Sequence, residues 1–188
     1  MKLFLSCVII VLGFSSCGLF DIRNPDEPSF SRSSFVEPFS PSDVPDNLGF
    51  AFSDGSSENF RKCLTNPTSA ETFVFYPSPE LQNQIPLLDS DDELNSFNNL
   101  KSDLLPKERI TVQWGSVSLS NQIDSAEWKA DYKLLIPRTS TDYPSFIEGK
   151  IILTIKKAPN GLWFISRWRD FSLNGDYCWS DLKWRFLN

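Results

Sequence analysis

The sequence predicts an α+β fold, a curved antiparallel sheet with three helices packed on one face, and two observations carry that expectation. Up to about Pro106 the apolar residues recur every three or four positions, as on a helix face; beyond it they alternate, as on a strand with one buried side. Asn160-Gly161 then gives a strong hairpin signal, because both residues tolerate the positive φ of a two-residue turn.

Taken in order, Val44, Leu48, Ala51 and Phe52 share one face of a first helix, with Ser42 as its N-cap and Pro45 in its first turn, where a missing N–H costs nothing. Asp54-Gly55 ends it. A second helix starts near Ser57, aligns Phe60, Cys63 and Leu64, and stops at Asn66-Pro67. Thr72 to Tyr76 is β-branched and aromatic and bounded by Pro77, so it reads as a short strand. Ser90-Asp91-Asp92-Glu93 has the form of a capping box opening a third helix, whose face runs through Leu94, Phe97, Leu100 and Leu104.

The next strand carries Ile110, Val112 and Trp114, and its pattern resumes at Val117 and Leu119 on the opposite parity, which predicts a bulge at Gly115-Ser116. Ala126, Trp128, Ala130, Tyr132, Leu134 and Ile136 alternate with polar residues along a second strand. Ile147, Gly149, Ile151, Leu153 and Ile155 do so along a third. The hairpin leads into a fourth, Leu162 to Phe171. Trp179, Leu182 and Phe186 fall at i, i+3, i+7, as expected of a short helix or a cover for a sheet edge.

Composition closes several function classes. The 188 residues include no His, which excludes Ser-His-Asp and Cys-His nucleophilic systems and His-based zinc or haem motifs. Proton chemistry would fall to carboxylates, Tyr or Lys. Lys+Arg 18 against Asp+Glu 24 gives a net charge of −6, and no long basic block offers phosphate contacts, so nucleic acid is not an expected partner. The acidic start at Ser90 to Glu93 suits exposed helix N–H groups and has no calcium-loop spacing, so neither metal nor cofactor is expected.

The N-terminus points to the cell envelope. Leu3 to Phe14 is an apolar run shorter than the roughly 20 residues that span a bilayer, and it follows Met1-Lys2 as the core of a signal peptide would. Phe14-Ser15-Ser16-Cys17-Gly18 resembles a bacterial lipobox, although Phe14 stands where such motifs more often have Leu, Val or Ile. That resemblance implies a signal peptide over residues 1–16, acylation of Cys17, and membrane attachment through the lipid. Gly18, not being Asp, implies sorting to the outer membrane, facing the periplasm. The alternatives are ordinary secretion after a cut near Ser16, or an uncleaved anchor.

Residues 17–40, with Pro25, Pro28 and Pro38 among many Ser, read as a tether to a domain over 41–188, and Phe30, Phe35 and Phe39 argue that part of the tether lies against that domain. Cys7 is lost with the signal peptide and Cys17 is committed to lipid. Cys63 and Cys178 then remain, either as one disulfide or as two buried free thiols.

Gly161-Leu162-Trp163-Phe164-Ile165-Ser166-Arg167-Trp168-Arg169-Asp170, followed by Trp179-Ser180-Asp181-Leu182-Lys183, resembles the ending of NTF2-like (cystatin-like cone) bacterial lipoproteins, and Ser40-Pro41-Ser42-Asp43-Val44-Pro45-Asp46-Asn47-Leu48 resembles their start. Pro45 departs from the Leu common there. The resemblance covers roughly residues 40–188 and extends to the SnoaL and ketosteroid-isomerase families. It implies a sheet curled round a pocket, where Tyr76, Trp114, Trp128, Tyr132 and Trp168 either line a ligand site or fill the core.

Asp170 shares parity with Trp168 and is the candidate catalytic base, with Tyr76 or Tyr132 as its acid. The alternative is a structural carboxylate, paired with Arg167 or Arg169 or accepting backbone N–H bonds. The function expected is a non-catalytic, lipid-anchored domain binding a small apolar ligand or a protein partner. A SnoaL- or isomerase-like enzyme, and a structural envelope component dimerising through a sheet face bearing Phe164, Arg167 and Arg169, are the alternatives.

Overall fold

The computed structural model describes residues 34–187. The signal peptide, Cys17 and most of the tether lie outside the described residues. Helices α1 (Asp43–Asp54) and α2 (Ser57–Leu64) are followed by a short strand β1 (Val74–Tyr76), helix α3 (Ser90–Ser102), strands β2 (Thr111–Asn121), β3 (Ser125–Leu135), β4 (Phe146–Lys157) and β5 (Trp163–Ser172), and helix α4 (Trp179–Phe186). The described residues thus hold four helices where three were expected. The fourth is the C-terminal segment, which forms a short helix. No helix among the described residues is long and apolar enough to cross a membrane.

The sheet runs β1-β5-β4-β3-β2, with the four long strands antiparallel and β1 parallel to β5. It curves over one core, because the alternation read from the sequence holds. Ala126, Trp128, Ala130, Tyr132 and Leu134 of β3, and Ile147, Ile151, Leu153 and Ile155 of β4, are all buried. The expected bulge is present: Ser116 and Val117 together oppose Ala130, so Trp114 faces Tyr132 while Leu119 faces Trp128 on the same side of the sheet. A second bulge at Ser166 separates the pairs Thr154–Arg167 and Ile155–Ile165.

Helix ends correct the sequence reading in two places. Ser42 holds the N-cap position of α1 but makes no side-chain cap; the Asp43 carboxylate instead reaches back to the Ser40 N–H at 2.8 Å. For α3 the capping box is shifted by one residue, to Asp89 and Asp92. That shift releases Glu93 from the cap and turns it into the core. Gly55 closes α1 in the left-handed region, φ 63°, as the Asp54-Gly55 stop required.

Residues 34–40 lie against the domain. Val36 and Asn47 exchange hydrogen bonds of 2.9 and 2.6 Å, Phe35 packs on the core, and the Trp163 N–H donates to the Pro38 carbonyl at 2.9 Å. That last bond covers the part of β5 that the three-residue β1 does not reach. Phe39, by contrast, is exposed. Phe164, expected on an outward face, is buried, and the Arg169 beside that face is held by Glu127 at 3.1 Å.

Candidate functional site

The inner face of the sheet gathers Asp170, Tyr132, Trp128 and Trp168, all buried. Tyr76 is not among them. Phe75 pairs with Trp168 across β1 and β5, so strand alternation sends Tyr76 to the other side, and Phe75 takes the inner position. Trp114 is partly buried at the β2 end, edge-on to Trp128 at 5.2 Å and away from Asp170's strand.

Asp170 accepts from the Tyr132 hydroxyl on Oδ1 at 2.8 Å, and from the Ser180 N–H and hydroxyl on Oδ2 at 2.7 and 2.6 Å. Tyr132 in turn accepts from the Trp179 N–H at 2.7 Å, and the Ser180 hydroxyl oxygen accepts from the Ser78 N–H at 2.8 Å. Trp179 and Ser180 are the first two residues of α4, whose opening N–H groups have no partner within the helix. Asp170 therefore caps α4, placing negative charge at the positive end of the helix dipole. Burial pushes its carboxyl above the usual carboxylate range, opposed by the hydrogen bonds from Ser180 and Tyr132. Burial and the neighbouring Asp170 hold the Tyr132 phenol well above its ordinary value.

Beneath this network, Lys183 of α4 donates to Glu93 of α3, both fully enclosed. The Lys183 ammonium lies 4.9 Å from the ring centre of Trp179, 5.8 Å from those of Phe60 and Phe75, and 5.9 Å from that of Trp168. Such a cage attracts a cation through the negative ring faces. Phe52, Phe60 and Phe97 close round it, with Phe60 stacked on Phe97 at 4.5 Å and Phe52 against Trp179 at 5.1 Å. Burial raises the Glu93 carboxyl and lowers the Lys183 ammonium, and each partner works against the shift of the other.

Sequence reasoning passed over Glu93, Ser180 and Lys183. A signal was present, since Glu93 precedes Phe97 and Leu100 at i, i+4, i+7, and Lys183 follows Trp179 at i, i+4; each charge sat on an apolar helix face. Cys63 and Cys178 are buried free thiols and not a disulfide. Cys178 stands at the N-cap of α4, with its thiol on the Asp181 carboxylate at 3.2 Å.

Gly149 is where β4 passes the Tyr132 phenol. A Cβ there would overlap that ring and come within 2.8 Å of the Phe171 carbonyl. Gly149→Ala should lower stability by about 1–3 kcal/mol as Tyr132 is forced off Asp170, read from chemical denaturation. An unchanged midpoint would show that Tyr132 has room to yield.

The fold is NTF2-like, also described as cystatin-like. The chain is similar to an NTF2-like superfamily protein of Salmonella enterica serovar Typhimurium, with 12% identity, a TM-score of 0.54, and coverage of 72% of this chain and 94% of that one. It is also similar to two proteins of Novosphingobium aromaticivorans. One, provisionally named an aromatic ring hydroxylase, has 11% identity, a TM-score of 0.57 and coverage of 76% and 92%. The other, provisionally named a scytalone dehydratase, has 9% identity, a TM-score of 0.56 and coverage of 72% and 91%. At these identities the likeness concerns the fold alone. No protein-family model and no curated protein matches the chain.

Proposed function

We propose that the protein is a lipid-anchored bacterial envelope lipoprotein, held at the periplasmic face of the outer membrane through Cys17, whose NTF2-like domain is non-catalytic and binds a protein partner on its outer surface. The observation that carries this reading is the occupation of the cone. Asp170, the residue placed for proton transfer, has both oxygens engaged, and α4 fills the inner face with Trp179, Leu182 and Lys183. A carboxylate that caps a helix is not free to take a substrate proton. The small apolar ligand considered from the sequence competes with these side chains for the same space.

The enzyme reading keeps one observation in its favour, a buried carboxyl of raised pKa beside a phenol, which is the pairing that isomerase-like chemistry would use. It requires α4 to leave.

Two measurements test the proposal. Native mass spectrometry of the full chain, extracted in mild detergent, is expected to show no co-purified small molecule beyond detergent and phospholipid. A stoichiometric organic ligand would overturn the partner-binding reading. Cys17→Ala should abolish fatty-acid labelling and release the chain from membranes, whereas an unlabelled variant that stays in the membrane fraction would refute the anchor.

A further inference from the structure

The β2 edge of the sheet stands apart from the rest of the surface. β2 is an outermost strand eleven residues long, and Thr111 to Asn121 contains no Lys, Arg, Asp, Glu or Pro. Edge strands that stay unpaired normally carry such residues or a bulge, because one row of their N–H and C=O groups faces solvent and will template another strand; of these devices β2 has only the bulge at Ser116 and Val117. Here β2 also exposes Val117 and Leu119. Beside it, Asp46, Gly49, Phe50 and Ser53 of α1 and Thr111, Val112 and Trp114 of β2 line a groove of about 280 Å³.

We propose that β2 pairs antiparallel with β2 of a second copy, joining two five-stranded sheets into one. The bulge sets the register. Before it, Val112 and Trp114 face the core side; after it, Leu119 and Asn121 do, because the extra residue flips the parity. In a two-fold antiparallel pair, opposed residues point to the same face. A dyad between Ser116 and Val117 meets that condition and sets the two bulges opposite each other. Trp114 then opposes Leu119 of the second copy at the mouth of the groove, and Gln113 opposes Ser120 on the outer face.

An uncharged strand also suits self-association of a chain with net charge −6, since a two-fold pairing sets each residue against its own kind of surface and charged edges would repel. This inference is independent of the anchoring and of the non-catalytic reading; it needs only the sheet. It uses the sheet's edge, not the face that the sequence offered as an alternative dimer contact.

The test is site-directed cross-linking of the full chain in detergent under mild oxidation. Gln113→Cys with Ser120→Cys in one chain places two thiols opposite two thiols across the dyad, within the Cα separation that a disulfide accepts. About tenfold more covalent dimer is expected from this double variant than from either single variant or the parent chain. Adding Leu119→Glu, which sets a carboxylate opposite Trp114 beside Asp46, should return the yield to the single-variant level. Equal cross-linking by the single variants, or none by the double variant while its circular dichroism matches the parent, would overturn the proposal.

Discussion

Lys183→Met should destabilise the protein by about 3–5 kcal/mol, the usual cost of leaving a buried charge without its partner. Lys183 is the compensation for Glu93, whose second oxygen, Oε1, has no hydrogen-bond partner among the described residues. With the ammonium gone, Glu93 either stays ionised in an aromatic enclosure or takes up a proton. The loss should therefore depend on pH. Burial already raises the Glu93 carboxyl above its ordinary value near 4.5, and removing Lys183 removes an interaction that lowers it. A carboxyl whose native pKa is raised binds more protons folded than unfolded, so stability falls as pH climbs from the ordinary value through the raised one.

The variant should accordingly lose more at about pH 8 than at about pH 5, in urea titrations compared with the parent at each pH. Combining Glu93→Leu with Lys183→Met removes both charges and keeps the volume, and most of the stability should return. A double variant no more stable than Lys183→Met alone would show that the ammonium matters for its packing among the rings and not as a counter-ion.

Asp170→Ala should cost about 3 kcal/mol or more, since it leaves the Ser180 N–H, the Ser180 hydroxyl and the Tyr132 hydroxyl without their acceptor in a buried site. The damage is expected to centre on α4. Near-ultraviolet circular dichroism, sensitive to Trp168 and Trp179 at 5.3 Å from each other, should change well before the far-ultraviolet spectrum of the strands does. Asp170→Asn should be milder, because its amide oxygen still accepts from Ser180, but its NH2 cannot accept the Tyr132 proton. If both variants keep the parent's stability and near-ultraviolet signal, Asp170 is not a helix cap in solution, and the catalytic alternative gains what the cap loses.

The sheet was legible in the sequence because strand periodicity reports burial directly: β3 and β4 alternate without interruption, and even the slip at Gly115-Ser116 appeared as a change of parity. The interior was only half legible. Asp170, Tyr132 and Trp168 lie on the inner face as their spacing implied, but what they face comes from α4, and no local pattern reports a contact between residues 10 and 47 positions apart. Tyr76 was misplaced because β1 has three residues, too few to fix a parity. Glu93 was misread because Asp89 and Ser90 are both good N-caps, and a shift of one residue rotates a helix side chain by about 100°. Cys63 and Cys178 could not be settled by counting, since proximity in the fold decides a bridge.

The closing of the core by α4 also sets an order of events during biogenesis. Every strand of the sheet precedes α4 in the chain, so a nascent polypeptide that has completed β5 still holds an uncapped Asp170, an unpaired Glu93 and an open aromatic face. Such an intermediate is sticky and poorly packed. It gains its dry interior only when residues 178–186 emerge. Under the envelope reading proposed above, that delay would leave the chain extended while it crosses a membrane, before it folds.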